Sequence, residues 1–339
     1  MREAIVTMAH GAGGRASAEL IQQVFINAFS DTPESTLQDA ASFNVNTSNN
    51  AKIAMTTDSY VVSPVFFPGG DIGKMAVCGT VNDLAVSGAV ASYLSASFIL
   101  EEGLTIAELQ QIVTSMADAA RKAKVKIVTG DTKVVPSGMA DKLYITTTGL
   151  GFIPEHVNID VSEAKAGDVI IINGHIGDHG AAVMLARGEL GFDADIVSDC
   201  AALNDMIADV VAQCPDIRVM RDATRGGVGT VLAEIANASD VSIALEENSL
   251  PIRRQTKAVC ELLGMDPLFL ANEGLAVFCV PRKLVDDVLV AMQRYECGQD
   301  ARAIGQVMNS NKSLLYINTS FGSKRMIDVP YGIQLPRIC

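Results

Sequence analysis

Residues 73–88, Gly-Lys-Met-Ala-Val-Cys-Gly-Thr-Val-Asn-Asp-Leu-Ala-Val-Ser-Gly, predict the helix around which the first half of the chain is expected to fold. The helix runs from about Lys74 to Ser87, and most of its side chains are apolar. Asn82 and Asp83 interrupt this pattern, and a charge inside an apolar helix is costly unless it is paired or bound to a cation. We therefore expect this helix to contribute to a binding site as well as to the core.

The segments around this helix predict a mixture of strands and helices in both halves of the chain. In the first half, we predict strands at 4–9, 53–57, 91–100, 125–129 and 143–152, and further helices at 17–29 and 105–123. In the second half, we predict strands at 168–173, 241–245, 275–280 and 314–318, and helices at about 180–187, 199–213, 227–236 and 283–294. Because strands and helices do not alternate steadily, the pattern favours an α+β fold over a doubly wound sheet.

The chain, with 339 residues, is long enough for two domains, and its pattern of elements restarts near Pro154. We assign residues 1–154 to an N-terminal domain, 155–325 to a C-terminal α+β domain and 326–339 to a tail. Residues 328–339 contain two prolines and one glycine, so they favour an extended, mobile arm over a helix interior or a central strand.

Composition and charge exclude several classes of protein. The formal charge is −13, with no basic stripe to neutralise phosphates, which argues against nucleic-acid binding. The longest uncharged run, 84–100, carries four serines and is shorter than the roughly 20 apolar residues of a membrane span. The first residues lack the apolar core of a signal peptide, so we expect a cytoplasmic protein.

Seven cysteines are scattered along the chain, and no two have the C-x-x-C spacing of a metal or redox site. In a reducing compartment, six of them are interpreted as small buried hydrophobic residues. Cys339 is the exception, since it is the last residue of the predicted arm. A thiol there could reach several surfaces in turn, although a terminal cysteine can also be accidental.

Glycine-rich stretches next to helices predict phosphate-binding turns. Gly11, Gly13 and Gly14 lie between a predicted strand and a predicted helix, where backbone N–H groups can bind phosphate. We reject a dinucleotide fold, because the polar, proline-interrupted stretch 31–39 follows where a second strand ending in an acid is required. A glycine-rich, flexible N-terminus remains the alternative.

Three cations lie near glycines and are candidate phosphate contacts. Residues 68–74 nearly spell a P-loop, but Pro68 replaces the first glycine and Met75 replaces the Ser/Thr that holds magnesium, so only Lys74 at the start of the helix is kept as a contact. Lys133 follows Gly130-Asp-Thr, and Arg225 precedes a Gly-Gly pair that opens a helix.

Four acids lie inside or at the ends of predicted elements: Asp58, Asp71, Asp83 and Asp131. Magnesium prefers oxygen ligands and commonly uses one or two carboxylates together with substrate phosphates. The set therefore predicts a magnesium–nucleotide site. The alternative is that each acid only caps a helix or turn. This explanation is reasonable for any single acid, but it is weaker as an explanation of all four together.

Glu273 and two histidines leave their roles open in the sequence. Glu273 lies between two apolar runs, where a glutamate is either a turn residue or a general base. His175 and His179 have a spacing that could suit a metal, but glycines surround them and no third ligand is evident. We therefore favour a structural turn for both histidines.

Together these motifs resemble the PurM-type (AIR synthase-related) ATP-binding superfamily and, within it, the HypE family of hydrogenase expression/formation proteins. The resemblance covers nearly the whole chain, and its Pro-Arg-Ile-Cys ending is the motif specific to HypE. The matching stretches are residues 10–15, 57–59, 68–73, 79–88, 130–133, 221–227, 272–274 and 336–339.

The resemblance implies an N-terminal domain that binds ATP and dimerises through its sheet. It also implies a reaction, in which the carbamoyltransferase HypF loads a carbamoyl group on the terminal cysteine and the HypE protein dehydrates it with ATP to a thiocyanate. The cyanide then passes to the iron of a [NiFe]-hydrogenase on the HypC–HypD scaffold.

On this hypothesis each candidate residue has a role. Cys339 carries the carbamoyl group, Glu273 is the general base and Lys133 lies next to the developing charge. The remaining assignments form two groups, with magnesium held by Asp58, Asp83 and Asp131, and the nucleotide bound by Gly11, Gly13, Gly14, Asp58, Asp71, Lys74, Asn82, Asp83, Asp131 and Arg225.

Two other functions remain open at this point. A related kinase acting on a small free substrate, such as selenide or thiamine phosphate, would keep full turnover without Cys339. A non-enzymatic carrier would form thiocyanate equally well when Glu273 is replaced by alanine. The dehydratase would fail both tests.

Overall fold

The structure is a computed structural model of the chain. It describes Ala9, residues 14–20, Gln22, and residues 40–44, 52–188, 194–310, 312–332 and 338. The predicted strand at 4–9, most of the predicted helix at 17–29, Gly11, Gly13 and Cys339 lie outside these residues.

The N-terminal half forms a sheet with the strand order β1-β2-β7-β5-β6. The β5–β6 pair is parallel, whereas the other neighbouring strands are antiparallel. The strands are β1 (Ala41–Asn44), β2 (Lys52–Tyr60), β5 (Val90–Glu101), β6 (Lys126–Val135) and β7 (Leu143–Ile153), and a short hairpin of β3 (Phe66–Phe67) and β4 (Gly70–Asp71) precedes the first long helix. The helices are α1 (Arg15–Leu20), α2 (Ile72–Val86) and α3 (Ile106–Lys122).

Helix α2 is the predicted apolar helix, and it is buried along almost its whole length. It begins where a carboxylate oxygen of Asp71 accepts hydrogen bonds from the backbone N–H groups of Gly73 and Lys74, at 2.8 and 3.0 Å. It packs against β2 and β7 on one side and against α3 on the other. Gly73 allows the close approach to α3, because a Cβ at that position would lie 2.4 Å from the carbonyl oxygen of Ile112.

The C-terminal half forms a second sheet with the strand order β14-β13-β10-β12-β8-β11-β9. Its strands are β8 (Val169–Ile172), β9 (Val219–Asp222), β10 (Ser242–Glu246), β11 (Ala276–Val280), β12 (Arg302–Met308), β13 (Leu315–Asn318) and β14 (Lys324–Met326). Its helices are α4 (Asp178–Ala186), α5 (Asn204–Gln213), α6 (Gly227–Ala238), α7 (Arg254–Leu263) and α8 (Val285–Met292). One apolar core spans both halves, since Ala54 and Leu84 belong to the same buried cluster as Met206 and Phe278.

The α+β prediction is confirmed, and most predicted elements lie within a few residues of the observed ones. One helix was predicted too long, because α5 begins at Asn204 and not at residue 199. Residues 198–201 form instead a loop whose polar groups bond to other parts of the chain. One strand was predicted too short, because β6 continues to Val135 and not only to residue 129. Helix α7 and the strands β1, β3, β4, β9, β12 and β14 were missed.

No helix in the described part of the chain is long and apolar enough to cross a membrane.

Candidate active site

A small cleft lies between the two halves of the chain, where β2 and α2 meet the loops that precede α6 and β11. We call it the acidic cleft, because four of its lining residues are carboxylic acids. It is lined by Asp58, Ser59, Tyr60, Gly79, Asp83, Asp222, Thr224, Arg225 and Glu273.

Glu273 is the most unusual group in the acidic cleft. Its residue is 2% exposed, and neither oxygen of its carboxyl group has a hydrogen-bond partner among the described residues. Burial raises the pKa of Glu273 well above its ordinary value, and the charges of Asp199, Asp222 and Asp58 raise it further. A buried carboxyl group without a partner is costly, so its presence in a cleft points to a functional role.

Tyr60 lies between the acids and helix α2. Its hydroxyl group is 3.3 Å from both the Asp58 carboxylate, to which it donates, and the Thr80 hydroxyl. Burial, and then the charge of Asp58, raises the pKa of Tyr60 well above its ordinary value, so the group remains a hydroxyl donor. Gly79 makes room for it, since a Cβ there would lie 2.3 Å from the Tyr60 oxygen.

Asp83 projects from helix α2 into the cleft that Asp58 lines from β2. One oxygen of Asp83 accepts a hydrogen bond of 2.6 Å from the Thr56 hydroxyl, which fixes the carboxylate. No group of three or more His, Cys, Asp or Glu residues in the described part of the chain could hold a metal by itself. A pair of carboxylates fits instead a magnesium ion that takes its remaining ligands from phosphates and water.

Arg225 is the cation among the described residues that line the acidic cleft. It lies just before α6, which begins at Gly227 directly after Gly226, and both glycines have positive φ. A Cβ on Gly227 would lie 2.4 Å from the carbonyl oxygen of Leu270, so glycine is required there for packing as well as for conformation. The predicted turn at the start of this helix is therefore present, with its arginine in the cleft.

Asp131 and Lys133 do not line the acidic cleft, because they lie on the other face of the first sheet. The register aligns Asp58 with the row that contains Ala96 and Gly130, and side chains of consecutive residues point to opposite faces. In the structure Lys133 forms an exposed ion pair with Asp131 at 2.6 Å. The roles predicted for these two residues remain predictions.

Three further candidates make contacts within the chain and are not among the residues that line the acidic cleft. Asp71 caps α2, and the Lys74 ammonium donates to the carbonyl oxygen of Gly69 at 2.8 Å. Gly14 lies at the start of α1 against the end of the chain, where a Cβ would be 2.6 Å from the carbonyl oxygen of Pro330. Contacts of these residues with a nucleotide remain predictions.

Asn82 uses its amide group to fix the loop of residues 198–201, which we call the linking segment. Its Nδ2 donates to the carbonyl oxygens of Ala201 at 3.0 Å and Glu273 at 3.4 Å, and its Oδ1 accepts from the N–H group of Leu203 at 2.8 Å. Asn82 is 2% exposed and is not among the residues that line the cleft. Its predicted nucleotide contact remains a prediction.

The linking segment also holds the loop that carries Glu273. The carboxylate of Asp199 accepts hydrogen bonds from the N–H groups of Glu273 and Gly274 and from the side chain of Asn272, at 2.8 to 3.2 Å. A Cβ on Gly274 would lie only 1.9 Å from the carbonyl oxygen of Asp199. Burial raises the pKa of Asp199 to about 6. The position of Glu273 thus depends on the linking segment.

The end of the chain contacts both halves of the structure. The N–H groups of Arg15 and Ala16 donate to the carbonyl oxygens of Pro330 and Tyr331, at 3.1 and 2.8 Å. Ile338 is 4% exposed, belongs to the core cluster of the N-terminal half, and accepts a hydrogen bond from the His179 ring at 2.8 Å through its carbonyl oxygen.

Sequence reasoning missed four residues of this region. Asp222 and Tyr60 line the cleft, Asp199 fixes the Glu273 loop and His179 contacts the tail. Asp222 lies three residues before Arg225, in the stretch 221–227 that was predicted to form a phosphate-binding turn. This closeness in the sequence could have identified Asp222 as a candidate. The other three depend on contacts between distant segments.

Comparisons with known proteins agree with this architecture. The family model described as AIR synthase related protein, N-terminal domain, matches residues 37–153, and the model of the C-terminal domain matches residues 165–318. The two models together cover more than half of the chain, so the predicted PurM-like fold is confirmed.

Three relatives are similar over nearly their whole length. The carbamoyl dehydratase HypE of Cupriavidus necator is 48% identical over 334 residues, which are 98% of this chain and 95% of that protein. A HypE crystal structure in complex with ATP has a TM-score of 0.82 at 42% identity, and the match covers 99% of this chain and 100% of that one. HypE in a crystal structure of the HypE–HypF complex has a TM-score of 0.85 at 47% identity, covering 92% of this chain and 99% of that one. The chain therefore belongs to the AIR synthase related protein family and, within it, to the HypE family of carbamoyl dehydratases.

Proposed function

We propose that the chain uses ATP to dehydrate a carbamoyl group on its own terminal thiol, that of Cys339, to a thiocyanate. The observation that carries this proposal is Glu273, a buried carboxyl group without a partner among the described residues, in an acidic cleft. Near-full-length similarity to carbamoyl dehydratases supports the same function over a kinase for a small free substrate.

The reaction has two steps. The carbamoyl oxygen first attacks the γ-phosphorus of ATP, ADP leaves, and the nitrogen loses one proton, which gives an O-phosphorylated intermediate. The C–O bond then breaks, phosphate leaves with the oxygen, and the nitrogen loses its second proton as the C≡N bond forms. The first step depends on positioning and charge neutralisation, and the second requires a base.

Glu273 is suited to accept the nitrogen-bound protons. Its raised pKa makes its carboxylate a stronger base than an exposed glutamate, and its two oxygens are free to accept an N–H group. Cations that enter the cleft with the nucleotide oppose the effect of Asp222 and Asp58 on that pKa, which favours the ionised form when substrate is present.

We propose magnesium as the cation, with Asp58 and Asp83 as its protein ligands. ATP binding is supported by the similarity to a HypE structure that contains ATP. Asp71, Lys74 and Arg225 are proposed to lie near its phosphates.

HypF is the proposed donor of the carbamoyl group, since a relative forms a HypE–HypF complex. The HypC–HypD scaffold is the proposed acceptor of cyanide on its way to the iron of a [NiFe]-hydrogenase. We assign the reaction to the cytoplasm, where ATP is available.

We also propose a homodimer formed through the outer sheet face, which is the face of the first sheet away from α2 and α3. Large apolar side chains on this face are 36% to 47% exposed, and two neighbouring strands align Leu150 with Met55 and Tyr93. Such a patch is typical of a protein interface. It includes Met55, Tyr93, Leu150 and Phe152.

Mass analysis of the C-terminal peptide tests the reaction. The full chain is incubated with HypF, a carbamoyl donor and ATP, and the peptide that contains Cys339 is then weighed. We expect a carbamoyl adduct that loses the mass of one water only when ATP is available to the chain. An adduct that keeps its full mass with ATP and magnesium present would refute the dehydratase.

A further inference from the structure

We propose that His179, oriented by Ser198, is a positioning residue that holds the peptide carbonyl of Ile338 and so presents Cys339 to the acidic cleft. This inference rests on the proposed function, because it assigns a role to the tail in that reaction. It assigns His179 a role other than the structural turn favoured from the sequence.

Hydrogen bonds and packing fix the buried ring of His179 in one orientation. The residue is fully buried, with its Nε2 2.8 Å from the carbonyl oxygen of Ile338 and its Nδ1 2.8 Å from the hydroxyl oxygen of Ser198. The ring of Phe67 meets the imidazole edge-on, with 5.3 Å between the centroids and 85° between the planes. Both ring nitrogens therefore have a partner, and the ring orientation is restricted by packing.

The direction of each hydrogen bond follows from the chemistry of the groups. The Ile338 carbonyl can only accept, so Nε2 of His179 carries a proton and donates it. Burial lowers the pKa of His179 to about 4, so the ring is neutral at pH 7 and Nδ1 is an acceptor. The Ser198 hydroxyl consequently donates to Nδ1, while its oxygen accepts the backbone N–H of Cys200 at 3.1 Å. Ser198 thus selects the tautomer that can bind the tail.

Ser198 belongs to the linking segment, which connects this contact with the acidic cleft. Asp199, the next residue, accepts the hydrogen bonds that fix the loop of Glu273. Two successive residues of one loop therefore fix the ring that binds the tail carbonyl and the loop that carries the candidate base. The arrangement relates the position of the tail to that of Glu273.

The contact lies next to the reacting group in the sequence. Consecutive Cα atoms are about 3.8 Å apart, so holding Ile338 limits the space that the thiol of Cys339 can reach. The side chain of Ile338 adds an apolar contact, since it is buried with the core of the N-terminal half. His179 binds a backbone carbonyl, which is unchanged when the neighbouring thiol is modified.

Two variants of His179 test the proposal in the full-length chain. His179→Phe replaces the imidazole by a phenyl ring and so removes both nitrogens, whereas His179→Gln keeps a side-chain N–H that can reach the same carbonyl. His156→Phe, at an exposed histidine, is the matched control. Thermal unfolding of each variant shows that it is folded.

The first measurement does not depend on catalysis. Alkylation of Cys339 by iodoacetamide, followed by mass spectrometry of the C-terminal peptide without nucleotide, reports how firmly the tail is held. We expect alkylation about tenfold faster in His179→Phe, because a buried carbonyl loses its hydrogen bond. His179→Gln and His156→Phe should remain within about twofold of the unsubstituted chain.

The second measurement is the single-turnover rate of dehydration of carbamoylated Cys339. We expect His179→Phe to lower this rate about tenfold, His179→Gln to restore most of it, and ATP affinity to remain unchanged. The two proposals can fail separately. If neither the unsubstituted chain nor any variant dehydrates the carbamoyl group, but His179→Phe still speeds alkylation, the proposed function fails and the tail contact is supported. Unchanged alkylation in folded His179→Phe overturns the contact.

If His179→Phe does not fold, Ser198→Ala replaces it as the test. This variant keeps the imidazole and removes the hydroxyl that selects its tautomer, and Ser198→Thr retains that hydroxyl as the control. Faster alkylation in Ser198→Ala but not in Ser198→Thr supports the proposal. Equal alkylation in both overturns it.

Discussion

At the scale of single residues, Glu273 links stability to pH. Its ordinary pKa is about 4.3, and burial raises the value in the folded chain. Below about pH 4 both folded and unfolded states carry the proton. As the pH rises, the unfolded state loses its proton first, so the folded state becomes less stable until the pH passes the folded pKa.

Glu273→Gln should therefore stabilise the chain at high pH and not at low pH. We expect the free energy of unfolding to rise by about 2 kcal/mol at pH 8 and to be unchanged near pH 4. Urea unfolding at both values measures the difference, with exposed Glu155→Gln as the control. An equal gain at both pH values would show that the effect is not electrostatic.

The same substitution should stop the chemistry. Gln cannot accept the nitrogen-bound proton, so we expect carbamoyl-Cys339 to accumulate when HypF, a carbamoyl donor and ATP are supplied. Mass spectrometry of the C-terminal peptide shows whether the adduct loses water. Thiocyanate formation at the normal rate by Glu273→Gln would assign the base to another residue.

Asp83→Asn tests the proposed magnesium ligand. We expect the affinity for ATP to fall about tenfold or more when magnesium is present, because an amide is a poorer ligand than a carboxylate. The loss should be smaller without magnesium. Isothermal titration calorimetry measures both cases, with exposed Asp216→Asn as the control. Equal losses would indicate that Asp83 acts only by holding Thr56.

Cleft residues that belong to a sequence motif could be predicted from the sequence. Residues whose role depends on contacts between distant segments could not. Asp58, Asp83, Arg225 and Glu273 stand at element ends or interrupt apolar runs, and all four line one cleft. His179 was interpreted as part of a turn because its partner, Ile338, lies 159 residues away in the sequence. Burial of that pair arises only from tertiary packing.

At the scale of elements, the start of α2 depends on the absence of a side chain. A Cβ on Gly73 would lie 2.4 Å from the carbonyl oxygen of Ile112, whereas a Cβ on Gly174 would have no neighbour within 4 Å. We expect Gly73→Ala to lower the free energy of unfolding by about 1–3 kcal/mol, because α2 must move away from α3. Gly174→Ala should change it by less than about 0.5 kcal/mol. Chemical unfolding measures both.

Equal stability of Gly73→Ala and Gly174→Ala would mean that α2 and α3 are not held at the observed separation.

Elements with a strong apolar pattern were predicted well, and those controlled by polar contacts were not. Helix α2 was predicted within two residues of its observed bounds, because its burial follows from its composition. The predicted helix at 199–213 was wrong over its first residues, since Asp199 and Ser198 bond to the Glu273 loop and to His179. Such bonds hold the linking segment outside the helix.

At the scale of the whole molecule, the outer sheet face should control assembly. Leu150→Asp places a charge in the centre of this face, and we expect it to shift the proposed dimer to monomer at micromolar concentration. Sedimentation velocity measures the change. Ile106→Asp is the control, because Ile106 is 68% exposed on α3, on the other side of the sheet.

A dimer that persists in Leu150→Asp would exclude this face as the interface. A monomer in the unsubstituted chain would exclude the dimer itself.

The two-sided character of the first sheet could not be predicted from the sequence. Asp58 and Asp131 both end apolar runs and were assigned to one metal site, yet the register places them on opposite faces. The α+β class was predicted from the sequence, and so was a family resemblance that covers nearly the whole chain. Which face each acid occupies depends on strand pairing between distant segments.

The bond between His179 and Ile338 has a consequence for the timing of release. Free, carbamoylated and cyanated forms of the last residue would all offer the same carbonyl to the imidazole. This contact cannot tell a finished product from a starting thiol, so the signal to hand over the nitrile must come from elsewhere.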